Sequence, residues 1–272
     1  MALEGQNVLI TGASMGIGRA MAIRFAQEGA AQLFLVSRSE DKLRKVKEDI
    51  EAASNTKVSI VAVDIQKHGE VEKAVESIAA DLEKDGKHLD VLVNNAGLAV
   101  GAPAIFPDLT SSQISTMIGT NISGMLSTTY AVLNQGGMKK RKHGTILNVT
   151  SVTGLEVPPF PGEAIYHTAK AAQEGFTNAL RVELVDTSIK VLALRPGVVA
   201  THFHQQRVGY DAEAYNVFIE GYEPLVADDV AASAVFMLSQ EERVCIKALD
   251  VVPTAQRSLA CFDRDWTKRN EA

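Results

Sequence analysis

Short apolar, β-branched runs alternate with amphipathic stretches along the whole 272-residue chain, and this alternation limits its fold more than any other feature. The runs at residues 7–11, 32–36, 58–63, 91–93, 145–149, 191–194 and 248–252 are mostly apolar throughout, as in strands covered on both faces. Between them, apolar residues recur at helical spacing. Ile17, Met21 and Phe25 form one stripe, stopped by Gly29; Leu43, Val46 and Ile50 form another after Ser39, a good N-cap. Val71, Val75, Ile78 and Leu82 follow Gly69. Longer helices are predicted over 111–135 and 163–185, and a last one over 227–238, where Asp228 and Asp229 suit a helix N-terminus. Strict alternation implies a mostly parallel, doubly wound α/β sheet of seven strands with helices on both faces. No repeat, low-complexity tract or linker divides the chain, so residues 1–272 read as a single domain.

Composition narrows the class without naming a chemistry. Apolar residues make up 46% and charged residues 22%, which a disordered chain does not show. Two cysteines form no disulfide framework and point to a reducing, cytoplasmic compartment. A net charge of −6 argues against nucleic acid as a partner. No apolar run reaches the ~18 residues of a membrane span, and the mixed stretch Met1 to Gln6 is not expected to act as a signal peptide. The basic cluster 139–143 reads as a solvated helix-to-strand loop.

The chemistry begins at the first turn. The first strand runs into Thr11-Gly12-Ala13-Ser14-Met15-Gly16-Ile17-Gly18, where a helix starts. Glycines at that spacing let the backbone approach a pyrophosphate, and the helix N-terminus offers free N–H groups. At the end of the second strand, Ser37 stands where an NAD-binding fold places a carboxylate, and Arg38 follows with a fork suited to a 2′-phosphate. The expected cofactor is therefore NADP in preference to NAD. Met15 stands where a basic side chain would have given a second phosphate contact. The plainer alternative is that Arg38 only helps to open a surface helix.

Together with that turn, Asp64 ending the third strand, Asn94-Asn95-Ala96-Gly97 after the fourth, Asn121, Ser151, Tyr166-His167-Thr168-Ala169-Lys170 and Pro196-Gly197 with Thr201 resemble the short-chain dehydrogenase/reductase family over nearly the whole chain. The resemblance implies a Rossmann fold and hydride transfer between a nicotinamide and an alcohol or carbonyl. Cofactor contacts are expected from Gly12, Ser14, Met15, Gly16, Ile17 and Gly18, and from Ser37 and Arg38. Further contacts are expected from Asp64, Ile65, Asn94, Ala96 and Gly97, and beyond the sixth strand from Pro196, Gly197, Val199 and Thr201.

Tyr166 and Lys170 are four apart, on one helix face. A neighbouring ammonium lowers the pKa of a phenol, making Tyr166 a candidate acid and base. A Tyr and a Lys sharing an exposed face is the ordinary alternative. By resemblance, Ser151 orients the substrate oxygen, Lys170 also holds the nicotinamide ribose, and Asn121 holds a water that links Lys170 to solvent. Asn121 otherwise reads as an interior polar group that satisfies the helix backbone.

The pocket is expected in loops at about 98–110, 154–165 and 201–225. The proline-rich stretch 155–162 is longer than the family pattern, and Phe160 and Glu163 are candidate substrate contacts. His202, Phe203, His204, Tyr210 and Tyr215 suit a lid. No third ligand accompanies His202 and His204, so no metal is expected.

The carboxyl end, around 224–231 and 251–258, resembles the branch of NADP-dependent serine and 3-hydroxy acid dehydrogenases. That implies carbonyl reduction or 3-hydroxy acid oxidation on a small molecule, and a homotetramer or homodimer. A non-catalytic NADP sensor or scaffold, or an isomerase or lyase, are the other readings this fold allows.

Overall fold

The central sheet of the computed structural model has strand order β3-β2-β1-β4-β5-β6-β7, and every neighbouring pair is parallel. Its strands are β1 (Asn7–Thr11), β2 (Gln32–Ser37), β3 (Lys57–Ala62), β4 (Val91–Asn94), β5 (His143–Val149), β6 (Ser188–Pro196) and β7 (Ala248–Val251). The structure describes residues 1–158, 161–207, 209 and 211–270, without the side chains of 212, 214, 215 and 218. Phe160, Tyr210 and the Tyr215 side chain therefore lie outside the described residues.

Successive strand side chains point to opposite faces, and the two cores divide accordingly. Val8, Ile10, Leu33 and Leu35 enter the cluster built with α1 (Gly16–Gln27), α2 (Glu40–Ala53) and α10 (Ala227–Leu238). Leu9, Phe34 and Val36 enter the other, with α3 (His68–Lys84), α5 (Met125–Asn134) and α7 (Ala164–Glu183). Burial on both faces is why these strands read as unbroken apolar runs.

Several expectations change in detail. The helix predicted over 111–135 is α4 (Ser111–Ile118) and α5, joined by a π-helical segment, Gly119–Gly124. A Cβ on Gly119 would meet Gln66 Oε1 at 2.3 Å, and one on Gly124 would meet Ile65 Cδ1 at 2.6 Å. The helix therefore widens where it presses on the loop after β3. The basic cluster is not simply a loop: α6 (Met138–Arg141) forms there, and Arg141 donates to the carbonyls of Gly136 and Leu89. The segment 201–225 carries two short helices, α8 (His202–Arg207) and α9 (Ala212–Ile219). After β7, a hairpin of β8 (Gln256–Ser258) and β9 (Cys261–Phe262) and helix α11 (Trp266–Asn270) pack around Val198, Tyr222 and Ala255.

The order reverses at β1, whose neighbours β2 and β4 lead to opposite sides. In such a sheet the crevice beyond the strand carboxyl ends, at that switch point, receives the ligand.

Candidate active site

The turn after β1 is tied to the end of β4 by side chains. Thr11 Oγ1 accepts the N–H groups of Asn95 (3.0 Å) and Ala96 (3.1 Å) and donates to Val93 O. Asn95 Nδ2 donates to Thr11 O at 3.0 Å and Gly12 O at 3.3 Å. Gly12 has φ +68°, and a Cβ there would lie 2.8 Å from Ala96 Cα. The N-cap of α1, Met15, makes no side-chain cap, so the first N–H groups of α1 have no capping side chain.

A cavity of about 440 Å³ opens over this turn and runs along the carboxyl edge of the sheet. One end is lined by Gly12, Ser14, Met15, Gly16 and Ile17, and by Ser37, Arg38, Asp64 and Ile65. There Ser37 Oγ donates to Ser14 Oγ at 2.9 Å, and Arg38 pairs with Asp64 at 3.8 Å. Lys42, four residues after Arg38, also lines this end. It went unnoticed in the sequence because a surface lysine on α2 is unremarkable; its spacing from Arg38 was the available signal. Ala96 and Gly97 line the middle. The far end holds Ser151, Tyr166 and Lys170, with Pro196, Gly197, Val199 and Thr201 on the facing loop.

Three expected residues do not line the cavity. Gly18 lies beneath the turn, where a Cβ would meet Gly12 O at 2.3 Å. Asn94 is buried and donates to Thr129 Oγ1 and Asn148 Oδ1, both at 2.9 Å, inside the protein. Asn121 is fully buried in the π segment, its side-chain amide donating to Leu98 O and accepting from Leu98 N–H, both at 2.8 Å.

At the far end, Tyr166 is buried and its ring tilts against Phe203 with centroids 5.4 Å apart. Burial raises its pKa above that of an ordinary phenol, and the Glu163 charge adds to this. Arg207 and a hydrogen bond with Ser151 oppose both. The expected lowering of the phenol pKa by Lys170 is therefore not seen in the protein alone. Lys170 Nζ lies 5.7 Å from the Tyr166 ring centroid, and burial pushes the amine itself down to about 7. Ser151 donates to Pro196 O at 3.3 Å and accepts from Thr153 N–H at 3.1 Å, which fixes its hydroxyl.

Sequence reasoning missed the ion pair between Arg207 of α8 and Glu163 before α7, both of which line the cavity. Burial raises the Glu163 pKa, while Arg207 lowers it. His204 is held down to about 3 by burial and by Arg207, so its imidazole is neutral. Leu259 and Phe262, from the carboxyl-terminal hairpin, also line the cavity. The arrangement offers a buried proton donor, a fixed hydroxyl and an amine at one end, and cations beside an open helix N-terminus at the other. Among the described residues no cluster of metal-ligating side chains occurs.

The short chain dehydrogenase family model matches residues 6–210. An NADP-dependent 3-hydroxy acid dehydrogenase of Schizosaccharomyces pombe is 35% identical over 254 residues, covering 93% of this chain and 95% of that protein. Sulfoacetaldehyde reductase 2 of Chromohalobacter salexigens is 36% identical, covering 95% and 98%. Among solved structures, the closed form of a serine dehydrogenase complexed with NADP⁺ superposes with a TM-score of 0.81 at 29% identity, covering 93% of this chain and 97% of that one.

Proposed function

The chain belongs to the short-chain dehydrogenase family, and from that membership we propose that it is an NADP-dependent oxidoreductase acting on a small alcohol or carbonyl compound. One observation carries the reading: a single cavity has Ser37, Arg38 and Lys42 at one end and Ser151, Tyr166 and Lys170 at the other. Bound there, NADP(H) supplies the hydride.

The residues fit that group. The turn after β1 is a backbone surface in which Gly12 leaves no room for a side chain, so N–H groups can meet a pyrophosphate. Ser37 cannot repel a 2′-phosphate as a carboxylate would, and Arg38 and Lys42 attract one. In the reducing direction Tyr166 donates its proton to the carbonyl oxygen, and in the oxidising direction it removes the alcohol proton. Ser151, already fixed by Thr153 and Pro196, orients that oxygen. Lys170, in its protonated form, places a positive charge beside the phenol.

Steady-state kinetics should show a kcat/KM for NADPH well above that for NADH. Arg38→Ser should lower the NADPH value by about 10- to 100-fold, the worth of one charge-assisted contact, and leave NADH nearly unchanged. Equal efficiency with both cofactors in the wild type would overturn the assignment. Loss of nicotinamide absorbance in step with product separates a dehydrogenase from an isomerase, a lyase or a sensor.

At the substrate end Glu163 already neutralises Arg207, which favours uncharged aldehydes and ketones over 3-hydroxy acids. A screen of both classes with NADPH and NADP⁺ decides, and turnover confined to the acids would refute that preference.

We read residues 1–272 as one domain whose loops near 98–110, 154–165 and 201–225 shape the pocket. Exposed Leu126 and Tyr130 on α5, and exposed Ala172 and Gly175 on α7, support self-association as a homodimer or homotetramer. Light scattering showing a stable monomer would reject it. Among the described residues no helix is long and apolar enough to cross a membrane, and the exposed free thiols of Cys245 and Cys261 suit a cytoplasmic location.

A further inference from the structure

Beneath Tyr166, one side chain links two elements that the reaction needs aligned. Gln173 follows Lys170 by three residues on α7 and is buried. Lys170 Nζ donates to Gln173 Oε1 at 3.0 Å and to Val149 O at 3.1 Å. Gln173 Nε2 donates in turn to the backbone carbonyl of Asn121 at 2.6 Å. The orientation of this amide is forced, because an ammonium only donates and a carbonyl only accepts. An ammonium carries three N–H groups. Two are engaged inside the protein, which leaves one for the cavity.

The other contacts of Gln173 hold it in place. Its backbone carbonyl accepts from Thr177 Oγ1 at 2.7 Å, and that hydroxyl accepts from Asn148 Nδ2 at 2.8 Å. The Asn121 side chain is clamped on Leu98, so the Asn121 carbonyl cannot swing away. The bridge thus spans from the β5 end, through α7, to the π segment.

We propose that Gln173 is a positioning residue for the Tyr166–Lys170 pair, its amide occupying the link between Lys170 and Asn121 that a relay water would otherwise fill. The proposal rests on the reading of that pair as the acid–base machinery. A water can accept one proton and release another; a neutral amide of fixed polarity cannot do so without tautomerising. Proton exchange between Tyr166 and solvent therefore runs through the open cavity side. Gln173 Oε1 also stabilises the charged form of Lys170. The titratable groups around that amine are Tyr166 and Glu174 on α7, Arg195 of β6 paired with Glu174, and Glu163, His204 and Arg207 at the cavity. The segments 94–97, 119–124 and 149–154 present only neutral groups.

The test is the pH profile of kcat/KM for Gln173→Leu and Gln173→Ser. Leucine nearly conserves the volume but gives the ammonium no acceptor. The charged form of Lys170 then becomes harder to keep, and the alkaline limb should move about one unit to lower pH. Serine leaves room for a water that can accept from Lys170 and donate to Asn121, so its limb should stay near the wild-type position. A role in packing alone predicts the opposite order, with the cavity-forming serine variant the more impaired. In the wild type, the side-chain amide protons of Gln173 should exchange slowly with solvent by NMR. Fast exchange, or a leucine variant with a wild-type limb, would overturn the proposal. Turnover retained by Tyr166→Phe would instead overturn the acid–base reading beneath it, so the two failures are distinguishable.

Discussion

Replacing Tyr166 with phenylalanine is expected to abolish measurable turnover while NADPH binding survives. The substitution removes one hydroxyl and keeps the ring, which packs against Phe203 and fills its buried place. No cofactor-side contact is altered: Ser37, Arg38 and Lys42 lie at the opposite end of the cavity. What is lost is the proton that a carbonyl oxygen must receive as hydride arrives. A positioned acid of this kind contributes ~10²–10⁴-fold, and the Tyr166 phenol, its pKa raised by burial and Glu163, is protonated at neutral pH and ready to donate. Single-turnover kinetics should show a rate lower by at least about a hundredfold, with the NADPH dissociation constant within about threefold of the wild type. Turnover near the wild-type rate would refute the role of Tyr166. Ser151→Ala should fall in the same direction, and the double variant should lose little more, because groups that act on one oxygen are not additive.

The strands and most helices were legible because each needs only its own neighbours in sequence. Burial on both faces forces an apolar run, and a stripe every three or four residues forces one helix face. The break at 119–124 was not legible, because its cause lies more than fifty residues earlier in the chain. Gly119 presses on Gln66 and Gly124 on Ile65, and nothing within the helical pattern records those contacts. That Tyr166 and Lys170 share one helix face was readable from spacing, whereas their role came from the resemblance, with Ser151 and Asn121 beside them. The Gln173 bridge was not, since its second partner, the Asn121 carbonyl, reaches it only after two helices pack. Glu163 and Arg207 are likewise brought together by the fold, and only their chemical types were visible beforehand. Asn94 shows the converse. Its place at the end of the fourth strand suggested a cofactor contact, yet three-dimensional packing turns its amide toward Thr129 and Asn148.

Gly18 supplies the other large effect, and it falls on the opposite half of the reaction. Gly18→Ala is expected to lose NADPH binding and lower the melting temperature. By helix propensity alone the change should help, since alanine is favoured over glycine by ~1 kcal/mol inside a helix. Packing decides otherwise. The added Cβ would lie 2.3 Å from Gly12 O and 2.5 Å from Asn95 Nδ2. Neither is the tip of a flexible side chain: one is backbone, and the other is held to Thr11 O and Gly12 O. Relief requires α1 to move off β1, which spreads the turn and misdirects its N–H groups. Overpacking of this sort costs about 1–3 kcal/mol, a fall of several degrees in a chain of this size. Cofactor affinity, which depends on the turn directly, should drop by more than tenfold. Gly69→Ala is the control: its Cβ meets nothing within 4 Å, so its melting temperature should hold or rise. Thermal melts and NADPH titration of both variants decide the matter, and wild-type affinity in Gly18→Ala would show that the turn is not the cofactor cradle. Against Tyr166→Phe, which should bind and not turn over, a Gly18 variant that cannot bind separates holding the cofactor from moving the proton.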